Sequence, residues 1–377
     1  MPKSLRITIV QGAFLPVPPL WGGAIEKMWF ALGQYFAAQG HQVTHVSRKI
    51  PSLPAQEVIG GVRHLRVPGY DTPRNALWLK CLDGLYSWRV KRLLPKADIL
   101  ISNTFWLPLL AKQEDSGKIM VDVQRMPKGQ MRLYRRVSRL RANSRAVAEA
   151  ISRQDPKARE RVVVIPNPLH FVPESKPDGA RKEKILLYAG RLHPEKGIEI
   201  LLQSFARLCE EGLADWRLAL VGPVATSQGG GGEAWWKRLQ ERLPLPPERM
   251  TWPGPVFAPD ELNAWYQRAT VFVYPSLAEK GETFGLAPLE AMSWGAVPVV
   301  SDLACFRDFI SAGQNGFVFA HRVDPVGQLI QTLRPVLARD DLSALAESAM
   351  EVRQTHALAR IGDVFLEEFR RMRKESN

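Results

Sequence analysis

The sequence has only three cysteines, no apolar run of membrane-spanning length and no N-terminal leader pattern. Cys81, Cys209 and Cys305 lie far apart without the spacing of metal ligands, which argues against a disulfide framework and against a zinc site. A membrane-spanning helix needs roughly 18 consecutive apolar residues, and the sequence has no such run. The first residues lack the apolar region and cleavage site of a secretion signal and are typical of a β-strand. We therefore expect a cytoplasmic protein.

Two common nucleotide-site signatures are also missing. The run Gly222–Gly232 contains five glycines after a strand-like segment, but it has neither the Gly-Lys-Ser/Thr ending of a P-loop nor the Gly-x-Gly-x-x-Gly spacing of a dinucleotide site. Nucleotide hydrolysis of the P-loop kind is therefore excluded, and we interpret the run as a flexible loop that can act as a lid. The sequence has no Asp-x-Asp motif, so we predict neither a bound metal nor a cofactor.

Positive charge is concentrated in the first half of the chain. Residues 1–170 contain 27 Lys and Arg against 11 Asp and Glu, whereas residues 171–377 contain 24 against 27. This split predicts that the first half faces an anionic partner, whether a membrane surface, a nucleic acid or an acidic acceptor.

Two segments of the first half are candidates for that contact. Segment Arg125–Arg141 has seven basic residues and no acids. Four of its arginines follow the spacing of one helical face: Arg132, Arg135, Arg136 and Arg139. In the second segment, Asn75–Leu94, leucines and tryptophans interleave with lysines and arginines. Both patterns favour a bilayer surface rich in anionic lipid over a nucleic acid. The alternative is a solvated helix whose arginines only keep the protein in solution.

The length of 377 residues predicts two domains, because single cores seldom grow this large. Short β-rich runs alternate with helical patterns in both halves, which is typical of doubly wound α/β domains with parallel sheets. We predict an N-terminal domain over residues 1–170, a second domain over 171–355 and a C-terminal helix over 356–377. The proline-rich stretch Pro166–Gly179 is the predicted linker.

Ten strands and four helices follow from these patterns, in addition to a helix over residues 285–294. The predicted strands are Leu5–Val10, Gln42–Ser47, Ile99–Ser102, Lys118–Val123, Arg161–Ile165, Ile185–Tyr188, Arg217–Val221, Met250–Trp252, Val271–Tyr274 and Val297–Ser301. The predicted helices are Ala24–Gln39, Gly197–Glu211, Ala234–Leu243 and Asp260–Gln267.

Glu282 and Glu290 lie eight positions apart between two of these β-rich runs. The helical spacing over residues 285–294 predicts a short helix with Thr283 as its N-cap. Glu290 then lies within the helix, and Glu282 lies in the loop before it. The alternative interpretation is a structural strand–helix–strand unit in which the two glutamates are merely solvated.

The start of this predicted helix is suited to phosphate. The first amides of a helix have no carbonyl partner within it, and here they belong to Phe284, Gly285 and Leu286. Such a concavity of donors binds phosphate oxygens. Two carboxylates beside it fit a ligand that carries both hydroxyls and phosphates, such as a nucleotide sugar.

A second motif, Tyr188–Gly197, runs from a strand through a turn into a helix. Arg191 and Lys196 follow Gly190 at the carboxyl end of the strand, where α/β sheets hold their ligands. Two cations at that place neutralise a diphosphate leaving group. The alternative is a solvated turn with incidental basic residues.

A third motif follows the first strand, where Gly22 and Gly23 precede a helix that contains Glu26. Two glycines before a helix allow backbone amides to approach a ligand oxygen closely.

Together these motifs resemble those of retaining glycosyltransferases with the GT-B fold, in particular glycosyltransferase family 4. The segment Gly281–Gly295 is similar to the Glu-x7-Glu motif of that family, including its Phe-Gly-Leu core and its Glu-Ala-Met tail. Tyr188–Gly197 matches the family's Gly-Arg-Leu-x-x-x-Lys-Gly motif, and the Gly22–Gly23 pair is similar to its glycine loop. The resemblance covers nearly the whole chain.

The resemblance implies two Rossmann-like domains facing across a deep cleft, with the C-terminal helix packed back on the first. It implies retaining transfer of a hexose from a nucleoside diphosphate sugar to a glycan or lipid-linked acceptor in bacterial cell-surface synthesis. Two alternative functions are open: the protein is a nucleotide-sugar epimerase of the same fold, or it is a non-enzymatic binding protein at a membrane.

The resemblance also implies residue roles. Arg191 and Lys196 bind the diphosphate, Glu282 holds the donor sugar and Glu290 accepts hydrogen bonds from the ribose. The remaining donor-site positions contact the ligand through main chain: Gly22, Gly23, Gly190, Val256, Phe284, Gly285 and Leu286.

One departure concerns a histidine that many family members carry after the strand Lys118–Val123. This chain has Gln124 there, close to Asp122. Either of these side chains takes the polar role toward the sugar, or the sugar is held differently.

Overall fold

A computed structural model describes residues 4–73, 75–170 and 182–375. They form two compact units. One contains the described residues up to 170 together with 356–375, and the other contains residues 182–355. The predicted linker Pro166–Gly179 lies outside the described residues from position 171 onward.

The first unit is an α/β unit with one sheet. Its strands are β1 (Arg6–Val10), β2 (Gln42–Lys49), β3 (Gln56–Ile59), β4 (Val62–Pro68), β5 (Ile99–Ser102), β6 (Lys118–Val123), β7 (Arg139–Ala142) and β8 (Val162–Val164). The helices before β8 are α1 (Ala24–Ala38), α2 (Ala76–Leu93), α3 (Leu107–Leu110), α4 (Gln113–Ser116) and α5 (Arg145–Gln154).

The strand order in this sheet is β3-β4-β2-β1-β5-β6-β7-β8. All neighbouring pairs are parallel except β3 with β4, which form an antiparallel hairpin. The chain order reverses on the two sides of β1, which pairs with β2 and β5. Ligands of open α/β sheets bind beyond the carboxyl ends of strands at such a point.

The second unit is also a parallel α/β unit. Its strands are β9 (Glu183–Ala189), β10 (Arg217–Val221), β11 (Met250–Gly254), β12 (Ala269–Tyr274), β13 (Val297–Ser301) and β14 (Phe317–Phe319). Its helices are α6 (Ile198–Glu210), α7 (Glu233–Arg242), α8 (Pro259–Arg268), α9 (Leu286–Ser293), α10 (Pro325–Leu337), α11 (Ser343–Met350) and α12 (Val352–Thr355).

The strand order of this second sheet is β11-β10-β9-β12-β13-β14, with every pair parallel. This is the strand order of the Rossmann fold, whose switch point lies between its first and fourth strands. In this unit those strands are β9 and β12. Both sheets have strands that are buried at every position, such as β5 and β13, because helices cover the two faces of a parallel sheet.

The last helix, α13 (Leu358–Lys374), packs in the core of the first unit. Its buried aromatic side chains, Phe365 and Phe369, recur at helical spacing. Phe365 lies 5.1 Å from Trp29 between ring centroids, and Phe369 lies 5.7 Å from Phe36. None of the described helices is long and apolar enough to cross a membrane.

The four arginines predicted on one helical face do not form such a face. Gln130–Leu133 is a single 3-10 turn, and Arg139 opens β7. The Arg139 Nε donates to Glu368 of α13 at 2.5 Å, and the Arg132 Nε donates to the Gln154 carbonyl at 2.8 Å. The helical prediction was wrong because tertiary packing overrides the local period: Tyr134, Val137 and Leu140 are buried in the core of the first unit from a turn and a strand.

Candidate functional site

The switch point of the second unit brings two of the sequence motifs together. β9 and β12 are neighbours in the sheet. The turn that contains Arg191 and Lys196 follows β9, and the loop that contains Glu282 follows β12. The amide of Leu277 donates to the Glu195 carbonyl at 2.8 Å and joins the two loops.

Lys196 and Glu282 form an ion pair at this point. The Lys196 Nζ lies 2.6 Å from the Glu282 Oε2, and the side chains are only 9% and 11% exposed. The Tyr274 hydroxyl donates to the same carboxylate oxygen at 3.1 Å. The ammonium also lies 5.5 Å from the centroid of the Tyr274 ring. Burial strengthens these interactions because little water screens them.

The backbone before α6 places Lys196 against the next loop. His193 accepts a hydrogen bond from the Glu195 amide through Nδ1 at 3.2 Å and caps a short 3-10 turn. Gly197 then adopts a φ of 70° before α6 begins. A side chain at Gly197 would overlap with the Pro275 carbonyl. Only glycine permits this close approach of the two loops.

Two stacked tyrosines lie beneath the ion pair, and the sequence motifs did not identify them. The rings of Tyr188 and Tyr274 lie 5.6 Å apart between centroids, with an interplanar angle of 9°. The Tyr188 hydroxyl donates to the Arg191 carbonyl at 2.8 Å. Burial, reinforced by the nearby charge of Glu282, holds the pKa of both phenols well above the ordinary value. Both hydroxyls therefore stay protonated and act as donors.

Arg191 has protein partners of its own. Its guanidinium donates to the Gly229 carbonyl at 2.6 Å and to Glu195 at 3.2 Å, while 45% of the side chain stays exposed. The glycine-rich run is anchored to the same turn, because the Gly231 amide donates to the Leu192 carbonyl at 2.8 Å.

Gly190 lies where two loops cross. A side chain at Gly222 would overlap with the Gly190 carbonyl, and one at Gly190 would lie 3.0 Å from the Tyr188 hydroxyl. The Gly222 amide donates to the Gly254 carbonyl at 2.9 Å, so the loops after β9, β10 and β11 are in contact. Val256 follows Gly254 in the last of these loops and is half-buried.

The helix α9 begins at Leu286, and its N-cap is Gly285 with a φ of 88°. Thr283 is therefore not the cap, and that prediction was wrong. The positive φ requires a glycine, and a side chain at Gly285 would overlap with the Phe306 ring. Phe284 is buried against Phe309, with ring centroids 5.4 Å apart. The first-turn amides of α9 lack carbonyl partners within the helix.

Glu290 lies within α9 and is buried. Its Oε2 accepts a hydrogen bond from the Tyr266 hydroxyl at 3.1 Å. Burial and the Glu290 charge keep the pKa of Tyr266 well above its ordinary value. The Tyr266 ring lies 5.9 Å from Phe272, which lies 6.1 Å from Tyr274 between centroids. Aromatic contacts thus connect the partner of Glu290 with the partner of Glu282.

The glycine pair of the first unit forms the start of α1. Gly22 has a φ of 79°, and Gly23 is the N-cap with a φ of 96°. A side chain at Gly23 would overlap with the Glu26 carboxylate. Burial raises the pKa of Glu26, although the charge of Arg125 opposes that rise. The Glu26 carboxylate therefore lies against the glycine loop at the start of α1.

Asp122 and Gln124 belong to a buried polar network. The Asp122 carboxylate pairs with Arg141 at 2.8 Å and accepts from the Trp29 Nε1 at 2.6 Å. The Gln124 amide donates to Asp122 at 3.0 Å and to Asn167 at 3.2 Å. Asp122 is thus engaged with Arg141 and Trp29, and Gln124 is engaged with Asp122 and Asn167. A role of either side chain toward a sugar, or a different way of holding the sugar, stays a prediction.

The described residues contain no group of three or more His, Cys, Asp and Glu side chains placed to hold a metal ion.

Comparisons with known families match both units. Residues 23–168 match the glycosyl transferase 4-like domain, and residues 183–339 match the glycosyl transferases group 1 family. These matches, together with two Rossmann-like units built on sheets of mainly parallel strands, define a glycosyltransferase of the GT-B fold class. The chain belongs to the group 1 glycosyltransferases, of the family 4 type.

Among curated proteins, the chain is similar to the lipopolysaccharide 1,2-N-acetylglucosaminetransferase of Salmonella typhimurium, with 30% identity over 173 residues. That stretch covers 45% of this chain and 43% of the relative, so the match spans less than half of the relative's length.

Two solved structures show the same fold. Sucrose-phosphate synthase from Thermosynechococcus elongatus is 19% identical with a TM-score of 0.81, and the match covers 97% of this chain and 98% of that one. Anabaena HepE in complex with UDP-glucose is 16% identical with a TM-score of 0.70, over 97% and 99% of the two chains.

Proposed function

We propose that this protein is a retaining glycosyltransferase that moves a hexose from a nucleoside diphosphate sugar to a glycan or lipid-linked acceptor. The observation that carries the proposal is the buried Lys196–Glu282 pair at the carboxyl ends of β9 and β12. A diphosphate requires a cation and a hexose requires acceptors for its hydroxyl groups. The pair supplies one of each at a single point. The UDP-glucose bound by the HepE structure supports a donor of this class.

Lys196 and Arg191 stabilise the diphosphate in this proposal. Each cation is held by protein oxygens that phosphate oxygens can replace. For Lys196 the oxygen belongs to Glu282, and for Arg191 the oxygens belong to Gly229 and Glu195. Once Lys196 turns to the diphosphate, the Glu282 carboxylate is free to accept hydroxyl hydrogen bonds from the sugar.

The remaining site residues orient the donor. Glu290 accepts hydrogen bonds from the ribose, and Val256 with Gly190 contacts the nucleotide through main chain. The amides of Gly285 and Leu286 at the start of α9, with the Phe284 amide just before the N-cap, bind phosphate oxygens. The Gly22–Gly23 loop serves the diphosphate or the acceptor, which the first unit binds.

The transfer proceeds with attack on one face of the sugar. The bond between the anomeric carbon and the diphosphate oxygen breaks, and the acceptor oxygen forms its bond on the same face. The departing phosphate oxygen takes the acceptor's proton, so no protein nucleophile is required. Lys196 and Arg191 stabilise the charge that develops on the leaving group. We therefore propose that catalysis needs neither a metal nor a cofactor.

The reaction is assigned to the cytoplasm, at the inner face of the membrane, in lipopolysaccharide or a related cell-surface synthesis. Two observations support this part of the proposal. One is the similarity to a lipopolysaccharide N-acetylglucosaminetransferase, and the other is the excess of positive charge in residues 1–170. Synthesis at the membrane brings a lipid-linked acceptor within reach.

A thermal-shift panel of UDP-, GDP- and ADP-hexoses tests the donor site. A ligand that binds only the native state raises the melting temperature, so at least one donor should stabilise the wild-type protein. Glu290→Ala should abolish most of that shift, because it removes the proposed ribose acceptor. Glu241→Ala, an exposed glutamate on α7, is the matched control and should retain the shift. A donor shift that survives Glu290→Ala unchanged would contradict the assignment.

A further inference from the structure

The helix α2 presents a second apolar face outward. Its buried residues, Asp83, Tyr86, Ser87 and Val90, lie on one side and pack into the first unit. Five large apolar residues elsewhere on the helix are each between 48% and 71% exposed: Leu77, Trp78, Leu85, Trp88 and Leu93. A helix that packs on one side normally turns polar residues to water, and clustered apolar exposure marks an interaction site.

The exposed residues follow the helical repeat. Trp78, Cys81, Leu85, Trp88 and Arg92 succeed one another at intervals of three and four residues, which places them on one stripe. This stripe lies opposite the buried side of the helix, so the core of the first unit does not use it. We call these residues, with the flanking Leu77 and Leu93, the outer face of α2.

The exposed charges of α2 itself are all positive. The cations of α2 are Lys80, Arg89, Lys91 and Arg92. The acid of the helix, Asp83, is buried, and it accepts hydrogen bonds from the Phe105 and Trp106 amides at 3.0 and 3.1 Å. The Arg92 guanidinium lies 3.5 Å from the centroid of the Trp88 ring. Apolar side chains and cations therefore share one surface.

A neighbouring loop extends this surface. Trp21, 52% exposed, stacks with Arg48 at 5.0 Å. Arg48 donates to the Tyr70 carbonyl at 2.7 Å, and the Tyr70 ring lies 5.3 Å from the Arg89 guanidinium. This chain of contacts connects Trp21, and the exposed Leu20 beside it, with α2.

We propose that the outer face of α2 docks on the surface of an anionic phospholipid bilayer, with the helix lying in the plane of the interface. The leucines then enter the acyl boundary, the tryptophan rings lie at the headgroups and the cations contact lipid phosphates. The aliphatic parts of the lysine and arginine side chains contact the apolar layer, while their charged ends stay in the polar layer. The inference deepens the proposed function and depends on its membrane location.

Other occupants fit the observations less well. A second copy in a two-fold dimer would bring this cationic surface against itself, and like charges repel across an interface. A nucleic acid would satisfy the cations but leave the leucines in water. Of these three occupants, the bilayer satisfies both the charge and the apolar area.

Vesicle flotation of the full chain tests the docking surface. Wild-type protein should bind phosphatidylcholine vesicles that contain phosphatidylglycerol, and bind pure phosphatidylcholine at least tenfold more weakly. The combination Trp78→Ser, Leu85→Ser and Trp88→Ser removes the apolar stripe. The combination Lys80→Gln, Lys91→Gln and Arg92→Gln removes three of the four α2 cations. Each should weaken vesicle binding about tenfold or more, and salt should weaken wild-type binding in the same way.

Two matched controls locate the effect. Arg135→Gln with Arg136→Gln removes exposed cations of the same unit, and Phe257→Ser with Val323→Ser removes exposed apolar residues of the other unit. Both should keep wild-type vesicle binding. An equal loss in either control would overturn the assignment to α2. The charge variant keeps every apolar side chain, so it retains the test if the stripe variant does not fold.

Further readouts separate the alternatives. Light scattering measures whether the α2 variants turn a dimer into a monomer. If they do, and vesicle binding stays unchanged, the outer face of α2 contacts a second copy and the proposal is wrong. Binding to an RNA duplex that exceeds vesicle binding would also overturn it. Both variants should keep the stabilisation by the nucleotide sugar. A wild type that does not bind the anionic vesicles, or α2 variants that bind them as well as the wild type, refute the docking surface, whereas lack of donor stabilisation in the wild type refutes the proposed function.

Discussion

The chemistry at the residue scale centres on one carboxylate oxygen. The Glu282 Oε2 contacts both the Lys196 ammonium and the Tyr274 hydroxyl. The motifs predicted Glu282 and Lys196 as site residues, but no local pattern could show that side chains 86 positions apart form a pair. Tyr274 escaped prediction because an aromatic residue at the end of a strand is also typical of β structure.

Tyr274→Phe tests whether this hydroxyl positions Glu282. The variant keeps the ring and its stack on Tyr188 but loses one hydrogen bond to a charged group, so we expect kcat to fall roughly fivefold to tenfold. KM for the donor should change less. Steady-state kinetics of sugar transfer would show this split.

Tyr134→Phe is the matched control, because its hydroxyl donates to the Phe105 carbonyl in the first unit. If both variants lose activity equally, the loss is structural and Tyr274 has no positioning role.

The polar network of the first unit shows another limit of sequence reasoning. The sequence offered Asp122, Gln124 or a different way of holding the sugar, and it gave no sign that Asp122 pairs with Arg141, which follows it by 19 positions. Arg141 and Asp122 are both fully buried at their side chains and 2.8 Å apart. Removing one partner of such a pair leaves an uncompensated charge, so the pair of Asp122 with Arg141 contributes to the stability of the fold.

At the scale of elements, strong apolar periods predicted structure well. Both the predicted and the observed strands include Ile99–Ser102, Lys118–Val123 and Val297–Ser301 with the same limits. The antiparallel hairpin of β3 and β4 was missed because its short outer strand alternates half-buried and exposed residues without a strong apolar signal. The local sequence predicts such strands less well, because their formation depends on pairing with neighbouring strands.

The start of α9 gives a prediction at this scale. Gly285→Ala should lower the free energy of unfolding by roughly 3 kcal/mol, because it combines a positive φ with an overlap against Phe306. The overlap would also displace the amides proposed to bind phosphate. Denaturant unfolding of the second unit measures the effect.

Gly313→Ala separates the two causes. Gly313 has a φ of 79°, but open space surrounds the position of a side chain. Its substitution should therefore cost only about 1 kcal/mol from the backbone. Equal costs at the two sites would show that the contact with Phe306 is unimportant.

At the scale of the whole molecule, the two units differ in charge and in their buried histidines. His45, His64, His170 and His356 lie in the first unit. Burial lowers the pKa of His45 well below its ordinary value and lowers that of each of the others to about 4. The His45 and His64 rings stack 5.4 Å apart, and their nitrogens find no hydrogen-bond partner among the described residues.

These histidines should make the first unit sensitive to acid. An unfolded histidine binds a proton below a pH of about 6.5, whereas the folded His64, His170 and His356 stay neutral down to about 4, and burial opposes protonation of the folded His45 as well. The unfolded state therefore binds more protons in that window, and stability falls as the pH decreases through it. Between pH 7 and 5 the loss is roughly 2 kcal/mol for each such histidine.

Guanidinium unfolding at pH 7 and at pH 5, followed by hydrogen exchange of peptides from each unit, measures this loss. The second unit contains none of the four histidines and is the internal control. Equal acid sensitivity of the two units would contradict the explanation.

The fold class was predictable because alternating β-rich and helical segments specify doubly wound sheets without knowledge of long-range contacts. The charge split between the halves was equally visible. The sequence offered two cationic segments, and it could not show that Arg132 and Arg139 of the first engage the fold while apolar residues of the second are exposed on α2. Only packing decides which face of a segment meets water.

The central claim is that Lys196 and Glu282 form the donor site of a metal-independent glycosyltransferase. The most direct test is the rate of nucleoside diphosphate release from a nucleotide hexose in excess EDTA, comparing the wild type with Lys196→Ala. Donor hydrolysis supplies this signal without a known acceptor. The exposed Lys237→Ala is the control, and melting temperatures confirm folding. We predict release by the wild type and control, and a loss of about 100-fold or more in Lys196→Ala. Release that is unchanged in Lys196→Ala, or a wild type that works only after Mg²⁺ is restored, would contradict the account.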